Sequence, residues 1–259
     1  MSQIFAVGSG KGGVGKTWLS ITLAHALALR GRRVLLFDGD FGLANIDIQL
    51  GLLPSRTLDA VLASQTTVEE AVIQHPAGFA LLAGRSGSGT LADLEPLALA
   101  RLLQALRGVA VSYDAVILDL AAGVDRSVRR MAAFADTLLV VATEDPTSLT
   151  DSYALMKLHA RGASGGAADV RVVVNQAGGA ASGARVQLAL TRACRGFLGT
   201  APRSAGTIRR DDHVREAIRH QALLLTRHPR CNAATDLSSI VDGLLGATGV
   251  VSAGRASTA

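Results

Sequence analysis

Aromatic side chains make up only 3% of this 259-residue chain, and it contains two cysteines and no long apolar run. Few aromatics argue against recognition of nucleic-acid bases by stacking. No apolar stretch approaches the roughly 18 residues of a membrane span, and the start of the chain lacks the features of a secretory signal. These absences predict a cytoplasmic protein. They leave open that it is located at a cell pole or binds transiently to the inner membrane.

The two cysteines, Cys194 and Cys231, lie far apart and without the spacing of a metal-binding motif. In a reducing compartment such thiols stay free rather than forming a disulfide. We therefore expect both to be small, buried, apolar side chains.

Lysine is scarce although the chain is basic, with a net charge of +5. Only three of its 26 basic residues are lysines, and two of these, Lys11 and Lys16, lie in the glycine-rich stretch GSGKGGVGKT. A basic chain suits nucleic acid or acidic lipid, but charge alone does not identify a partner. The presence of two lysines in this stretch must therefore be explained by the motif around them.

Apolar strand patterns alternate along the chain with segments of helical periodicity. The strand patterns share an apolar core that ends in polar residues: QIFAVGSG, RRVLLFDGD, YDAVILDLAAG, DTLLVVATEDP and DVRVVVNQAGG. The helical segments lie at 125–135, 147–159 and 182–196. This alternation predicts an α/β fold, a doubly wound, mainly parallel sheet with helices on both faces. We expect a single domain over 1–245 and a flexible C-terminal tail over 246–259.

The region from residue 57 to 89 predicts two short helices and a further strand. Thr67 begins the sequence TVEE, which is typical of a capping box. The glycine-rich stretch 84–89 has no lysine after it, so we expect an ordinary flexible connection there. Near the end of the chain, one helical face collects apolar residues and predicts a final helix packed on the domain: Leu237, Ile240, Val241, Leu244 and Leu245.

The glycine-rich stretch matches a phosphate-binding loop. Gly10, Gly15, Lys16 and Thr17 fit the pattern G-x-x-x-x-G-K-[ST] between a predicted strand and a predicted helix. Glycines let backbone N–H groups surround an anion, and the helix N-terminus adds its dipole at the same point. Lys16 would reach the β- and γ-phosphates, and the Thr17 hydroxyl would ligate Mg²⁺.

Three aspartates follow apolar strands, where ligands meet side chains in open α/β sheets. They are Asp38, Asp40 and Asp119. Their placement suits Mg²⁺ and an attacking water, although Asp38 and Asp40 are also compatible with simple helix or turn caps. The residues alone therefore predict a site for a nucleotide and a metal at one edge of the sheet.

The segment KGGVGKT resembles the deviant Walker A motif of the MinD/ParA ATPases. The resemblance implies that Lys16 and Lys11 act in catalysis, Lys11 by crossing the interface of an ATP-dependent homodimer to reach the partner subunit's nucleotide. It also implies that the whole loop binds ATP: Gly10, Lys11, Gly12, Gly13, Val14, Gly15, Lys16 and Thr17.

The same resemblance assigns roles to the acidic residues. In the segment LLFDGDFGLANIDIQLGL it implies that Asp40 orients the attacking water and that Asp38 supports the metal shell. In VILDLAAG, which resembles the Walker B strand, it implies that Asp119 holds Mg²⁺ through water and that Gly123 lies near the γ-phosphate. Leu120 stands where the family commonly has a hydroxyl residue.

Two positions are implied in binding the adenine base. Asn175 stands where the family reads adenine with an amide, although it could instead cap a strand-end turn. The family's IP-x-D segment corresponds here to Ile208–Asp211, with Arg209 in place of the proline. Arg209 could stack on adenine or face solvent.

Further stretches, from about residue 3 to 245, look most like the flagellar-number ATPases FlhG and FleN. That resemblance implies a slow Mg²⁺-dependent ATPase switch that acts on a FleQ-type transcription regulator or on the GTPase FlhF. The sequence starts at the first strand, so we do not expect the N-terminal extension through which such proteins stimulate FlhF. From residue 231 onward the side-chain charge is −1, so attraction to an anionic membrane is not expected there.

Two other functions remain compatible with the sequence. One is a ParA-like partition ATPase that binds DNA nonspecifically through arginines: Arg126, Arg129, Arg130, Arg215 and Arg219. In so arginine-rich a chain such clusters are expected on a solvated face. The other is a nucleotide-gated binding module with negligible hydrolysis, in which Asp40 would have no role.

Overall fold

Five apolar runs recognised in the sequence form neighbouring parallel strands in the computed structural model, which describes residues 2–84, 95–162 and 169–253. The strands of these residues are β1 (Gln3–Ser9), β2 (Val34–Gly39), β3 (Ile73–Gln74), β4 (Ala80–Leu82), β5 (Ala115–Ala122), β6 (Thr137–Ala142), β7 (Asp169–Ala177) and β8 (Arg203–Arg209). They form one sheet in the order β3-β4-β2-β5-β1-β6-β7-β8, and β3 is its antiparallel strand. The predicted mainly parallel sheet is confirmed.

Helices connect these strands. Those of the described residues are α1 (Lys16–Ala28), α2 (Ile46–Leu50), α3 (Leu58–Leu62), α4 (Val68–Ala71), α5 (Pro96–Ala110), α6 (Arg126–Phe134), α7 (Pro146–Gly162), α8 (Ala180–Leu198), α9 (Asp212–Arg219), α10 (Leu224–Arg227) and α11 (Asn232–Ala253). The predicted capping box begins α4: the Thr67 hydroxyl accepts from Glu70 N, and the Glu70 carboxylate accepts from Thr67 N.

The helices cover both faces of the sheet because successive residues of a strand point to opposite sides. In β1, Ile4 and Ala6 join one apolar core, whereas Phe5 and Val7 join the other. Helices α5 to α8 contribute to the first core, and α1 and α11 contribute to the second. The two-sided cover predicted from the sequence is therefore confirmed.

The final helix packs on the domain as predicted. Leu237, Ile240, Val241 and Leu244 are buried in the same core as α1, and Leu245 is partly buried against it. The helix continues to Ala253, however, so residues 246–253, which were expected to belong to a flexible tail, are helical. Once a helix is formed, each further residue adds a hydrogen bond, which lets it run through residues of low helix propensity.

Three other expectations differ from the structure or lie beyond it. Edge strand β8 was not predicted, because its sequence RSAGTIR lacks an apolar run. Cys194 is buried as expected, but Cys231 is only partly buried. Residues 85–89 of the second glycine-rich stretch, and 254–259 of the expected tail, lie outside the described residues.

In the described part of the chain, no helix combines the length and the apolarity needed to cross a membrane.

Candidate nucleotide-binding site

The loop between β1 and α1 has the geometry of an anion cradle. Gly15 precedes α1 with a φ of 93°, in the left-handed region that favours glycine, and the helix begins at Lys16. Gly10 packs so closely on α7 that a Cβ there would collide with the backbone of Asp151. The loop is thus fixed on both sides, with the free N–H groups of a helix N-terminus available to an anion.

Lys16, Thr17 and Asp119 come together at the start of α1, as predicted. Lys16 is 8% exposed; burial lowers its pKa, while the charges of Asp119 and Asp40 oppose that shift. Asp119 accepts hydrogen bonds from the Thr17 hydroxyl and, at 2.9 Å, from Ser20 Oγ. Ser20 was missed in the sequence, because one turn of helix separates it from the recognised motif.

Asp38 and Asp119 form a buried carboxylate pair. They are paired in register on neighbouring strands β2 and β5, and each is 1% exposed. Burial, and then the charge of Asp119, raises the pKa of Asp38 to about 8, against hydrogen bonds from the N–H groups of Ile46 and Asp40. Burial raises the pKa of Asp119 to about 6, against its hydrogen bonds to Thr17 and Ser20. The pair therefore retains a proton near neutral pH unless a cation compensates the charge.

Asp40 and Gly123 lie at the same edge of the sheet. Asp40 is partly exposed, and Leu43 N donates to its Oδ1 at 3.0 Å. Gly123 N donates to Ser9 O at 2.9 Å, which ties the end of β5 to the start of the loop. The structure therefore gathers the predicted acidic residues, Lys16 and Gly123 around one point.

The second lysine of the loop has a different environment. Lys11 Nζ lies 2.7 Å from Asp145 Oδ2 and 2.7 Å from Thr147 Oγ1, both in the same chain. This pair is partly exposed, whereas Lys16 is buried. The role of Lys11 toward a partner subunit stays a prediction. Asp145 and Thr147 were not recognised as contacts of the loop, since they follow β6, far away in sequence.

A cavity of about 300 Å³ opens beside the loop, and both residues implied in base binding line it. Asn175 is 4% exposed and donates through Nδ2 to Val14 O at 2.8 Å. Arg209 turns its guanidinium toward α11, where Nε and Nη2 pair with the carboxylate of Asp236 at 2.9 and 2.7 Å. Base contact by either residue stays a prediction.

The cavity also contains residues that sequence reasoning missed. Trp18 lines it, and its buried indole Nε1 has no hydrogen-bond partner among the described residues. Gln176 lines it too and donates to Gly13 O at 3.2 Å.

The residues at the sheet edge fit a magnesium ion. The Thr17 hydroxyl and the carboxylates of Asp38 and Asp119 are hard oxygen donors, which Mg²⁺ prefers. Both carboxylates are buried, and burial raises both pKa values, so a cation beside them would favour their charged forms. Thr17, Asp38 and Asp119 therefore suit direct or water-mediated contact with the ion.

The raised pKa of Asp38 makes stability depend on pH. Above its unfolded pKa of about 3.8, the unfolded chain loses a proton that the folded chain keeps up to about pH 8. The contribution of Asp38 to the unfolding free energy of the ligand-free protein should therefore fall between about pH 4 and pH 8. We expect Asp38→Asn to remove most of this fall, and to exceed the wild type in urea unfolding by roughly 2 to 4 kcal/mol at pH 8.5.

A control for this prediction is Asp242→Asn. The Asp242 side chain is 63% exposed and pairs with Arg30 on the surface, so this variant should follow the wild-type profile. Parallel profiles of the wild type and Asp38→Asn from pH 5 to 8.5 would contradict the buried-proton explanation.

The chain matches known proteins over most of its length. The family model described as CobQ/CobB/MinD/ParA nucleotide binding domain matches residues 5–224. The antiactivator FleN of Pseudomonas aeruginosa is 37% identical over 238 residues, which are 92% of this chain and 84% of FleN. The flagellum site-determining protein YlxH of Helicobacter pylori is 31% identical over 160 residues, which are 62% of this chain and 54% of YlxH.

Solved structures agree on the fold. The cell division ATPase MinD of Pyrococcus furiosus has a TM-score of 0.79 at 23% identity, covering 95% of this chain and 100% of that one. MinD of Pyrococcus horikoshii, solved with Mg-ADP, also has a TM-score of 0.79, covering 96% of this chain and 98% of that one. The chain therefore belongs to the CobQ/CobB/MinD/ParA family of nucleotide-binding domains, and it is similar to FleN over nearly its whole length.

Proposed function

We propose that this chain is a Mg²⁺-dependent ATPase of low turnover that forms a homodimer around ATP and regulates the number and placement of flagella. The observation that carries this proposal is the 37% identity with the antiactivator FleN over 92% of the chain. It is supported by a loop with two lysines in contrasting environments, one buried and one partly exposed.

The loop and α1 bind the triphosphate. The N–H groups around Gly13 and Gly15 and the positive end of the α1 dipole face the phosphates. Lys16 is held beside them by burial and by the charges of Asp119 and Asp40, so its ammonium needs little reorganisation. The adenine base occupies the adjoining cavity, which Trp18, Asn175 and Arg209 line.

Magnesium, when bound, neutralises charge on the phosphate oxygens. Thr17 and Asp119 already share a hydrogen bond, and Asp38 lies beside Asp119 on the next strand. These three residues would hold the ion.

Asp40 positions the attacking water. Its carboxylate is partly exposed, and its charge acts on Lys16. A carboxylate in reach of both solvent and the phosphates can accept a hydrogen bond from water and aim its lone pair. A passive nucleotide clamp would not need this group.

Lys11 completes the site of the second subunit. Its ammonium pairs with Asp145 and Thr147 in the single chain, where both partners are near the surface. Exposed ion pairs contribute only about 0.2 to 1 kcal/mol, so Lys11 can exchange them for a phosphate oxygen at small cost. The extra positive charge then stabilises the more negative transition state.

We expect Asp40→Ala to slow ATP hydrolysis by about 10²- to 10⁴-fold and to remain a dimer on size exclusion with ATP, because water is no longer oriented. Lys16→Ala is the matched control: it removes the buried ammonium and should remain monomeric without binding ATP. An Asp40→Ala protein that stays monomeric in ATP would contradict the switch mechanism.

We expect Lys11→Ala to bind ATP nearly as tightly as the wild type but to lose the ATP-dependent dimer. Its turnover should fall by about 10²- to 10³-fold, as for loss of one transition-state donor. Lys157→Ala, which alters the third lysine of the chain, is the control and should dimerise normally. Normal dimerisation of Lys11→Ala would rule out a role in trans.

The proposed role in flagellar regulation requires a partner protein. A transcription regulator of FleQ type is the first partner to test, and the GTPase FlhF is the second. We expect the Asp40→Ala protein with ATP to retain a purified FleQ-type regulator in a pull-down, and Lys16→Ala to retain none. Equal retention by the two variants would show that partner binding does not depend on the ATP-bound dimer.

A further inference from the structure

Three side chains of the kinds that bind transition metals meet where α9 and α11 begin. Asp211 precedes α9, His213 lies in its first turn, and Cys231 precedes α11. One carboxylate oxygen, one imidazole nitrogen and the thiol sulfur all lie within 4.8 Å of one another. The spacing of these residues along the chain gave no sign of this cluster, since the fold alone brings Cys231 to the other two.

The Asp211 carboxylate is the centre of the cluster. It accepts hydrogen bonds from His213 N at 3.1 Å and Ala233 N at 3.1 Å, which fixes its position relative to both helices. It is also 2.8 Å from His213 Nδ1, and it shares a hydrogen bond with the Cys231 thiol. Two protons on metal-binding atoms thus converge on one carboxylate, and a divalent cation can take their place.

We propose that Asp211, His213 and Cys231 form a zinc site, with a carboxylate oxygen, Nδ1 and Sγ as ligands and water in the fourth position. In a tetrahedral site with bonds of about 2.0 to 2.3 Å, donor atoms lie roughly 3.3 to 3.8 Å apart, so small side-chain rotations complete the geometry. The thiol selects zinc over Mg²⁺ and Ca²⁺. On binding, the thiol proton passes to solvent and the His213 proton moves to Nε2.

Neighbouring groups orient the ligands. The ring of His228 packs on the ring of His213 with 4.3 Å between centroids. His228 Nε2 lies 2.7 Å from Glu216 Oε2, and His228 is not a member of the three-residue cluster, so water takes the fourth position. The His213 side chain is 52% exposed, which gives the ion a path from solvent.

Zinc here would join two helices beside the nucleotide cavity. Asp211 lines that cavity, and α11 carries Asp236, which pairs with Arg209 in the cavity wall. The ion would therefore stabilise the folded chain and the wall of the cavity, without touching the phosphate loop.

The first test uses cobalt as a spectroscopic probe on the tag-free, full-length, reduced protein without nucleotide or magnesium. We expect Co²⁺ to give a sulfur-to-cobalt charge-transfer band that Zn²⁺ abolishes. Cys231→Ser should lose the band, whereas Cys194→Ser, which alters the buried cysteine of α8, should keep it. No charge-transfer band in the wild type at saturating cobalt, or a band retained by Cys231→Ser, would overturn the proposal.

The second test measures stabilisation. Zinc at a hundred times its Kd should raise the melting temperature of the wild type by roughly 5 to 10 °C. His213→Ala keeps the backbone N–H that bonds to Asp211, so this variant should fold. Its affinity for zinc should be at least tenfold lower than that of the wild type. An equal zinc response in His213→Ala would refute the ligand assignment. Neither test involves ATP, so failure here leaves the proposed ATPase untouched.

Discussion

Burial of charge at the carboxyl ends of three neighbouring strands is the constraint on which this site depends. Lys16 begins the helix that follows β1, Asp38 and Gly39 are the last residues of β2, and Asp119 lies in β5. A buried ion is costly unless partners compensate it, and here one ammonium faces more than one carboxylate. A divalent cation at this point would compensate the excess negative charge of the carboxylates.

The two lysines of the loop show how environment divides their roles. Lys16 is buried and held by fixed neighbours, so its position is set by the fold. Lys11 is tied to Asp145 by a partly exposed pair, which solvent screens. In the proposed mechanism, the lysine that stays in place is therefore buried, and the lysine that changes partner is held weakly. Sequence spacing revealed that two lysines were present, but it could not reveal this difference.

The parts of the fold and site that sequence predicted are those with a local cause. The strand runs around Val7, Phe37 and Leu118, the capping box at Thr67 and the loop at Gly15 each follow from residues adjacent in the chain. Contacts that depend on tertiary packing were missed. Ser20 reaches Asp119 only because α1 lies on β5, and Trp18 lines a cavity whose other wall is β8, itself too polar to be recognised as a strand.

The ion pair between Arg209 and Asp236 has a consequence for how the chain can be divided. Arg209 ends the edge strand β8 and helps to form the wall of the base cavity, while Asp236 belongs to the last helix. Because α11 supports the wall of the cavity through this pair, the residues before α11 do not form the complete cavity by themselves. In the proposed function, a change in how α11 packs on the sheet would therefore alter the binding of the nucleoside.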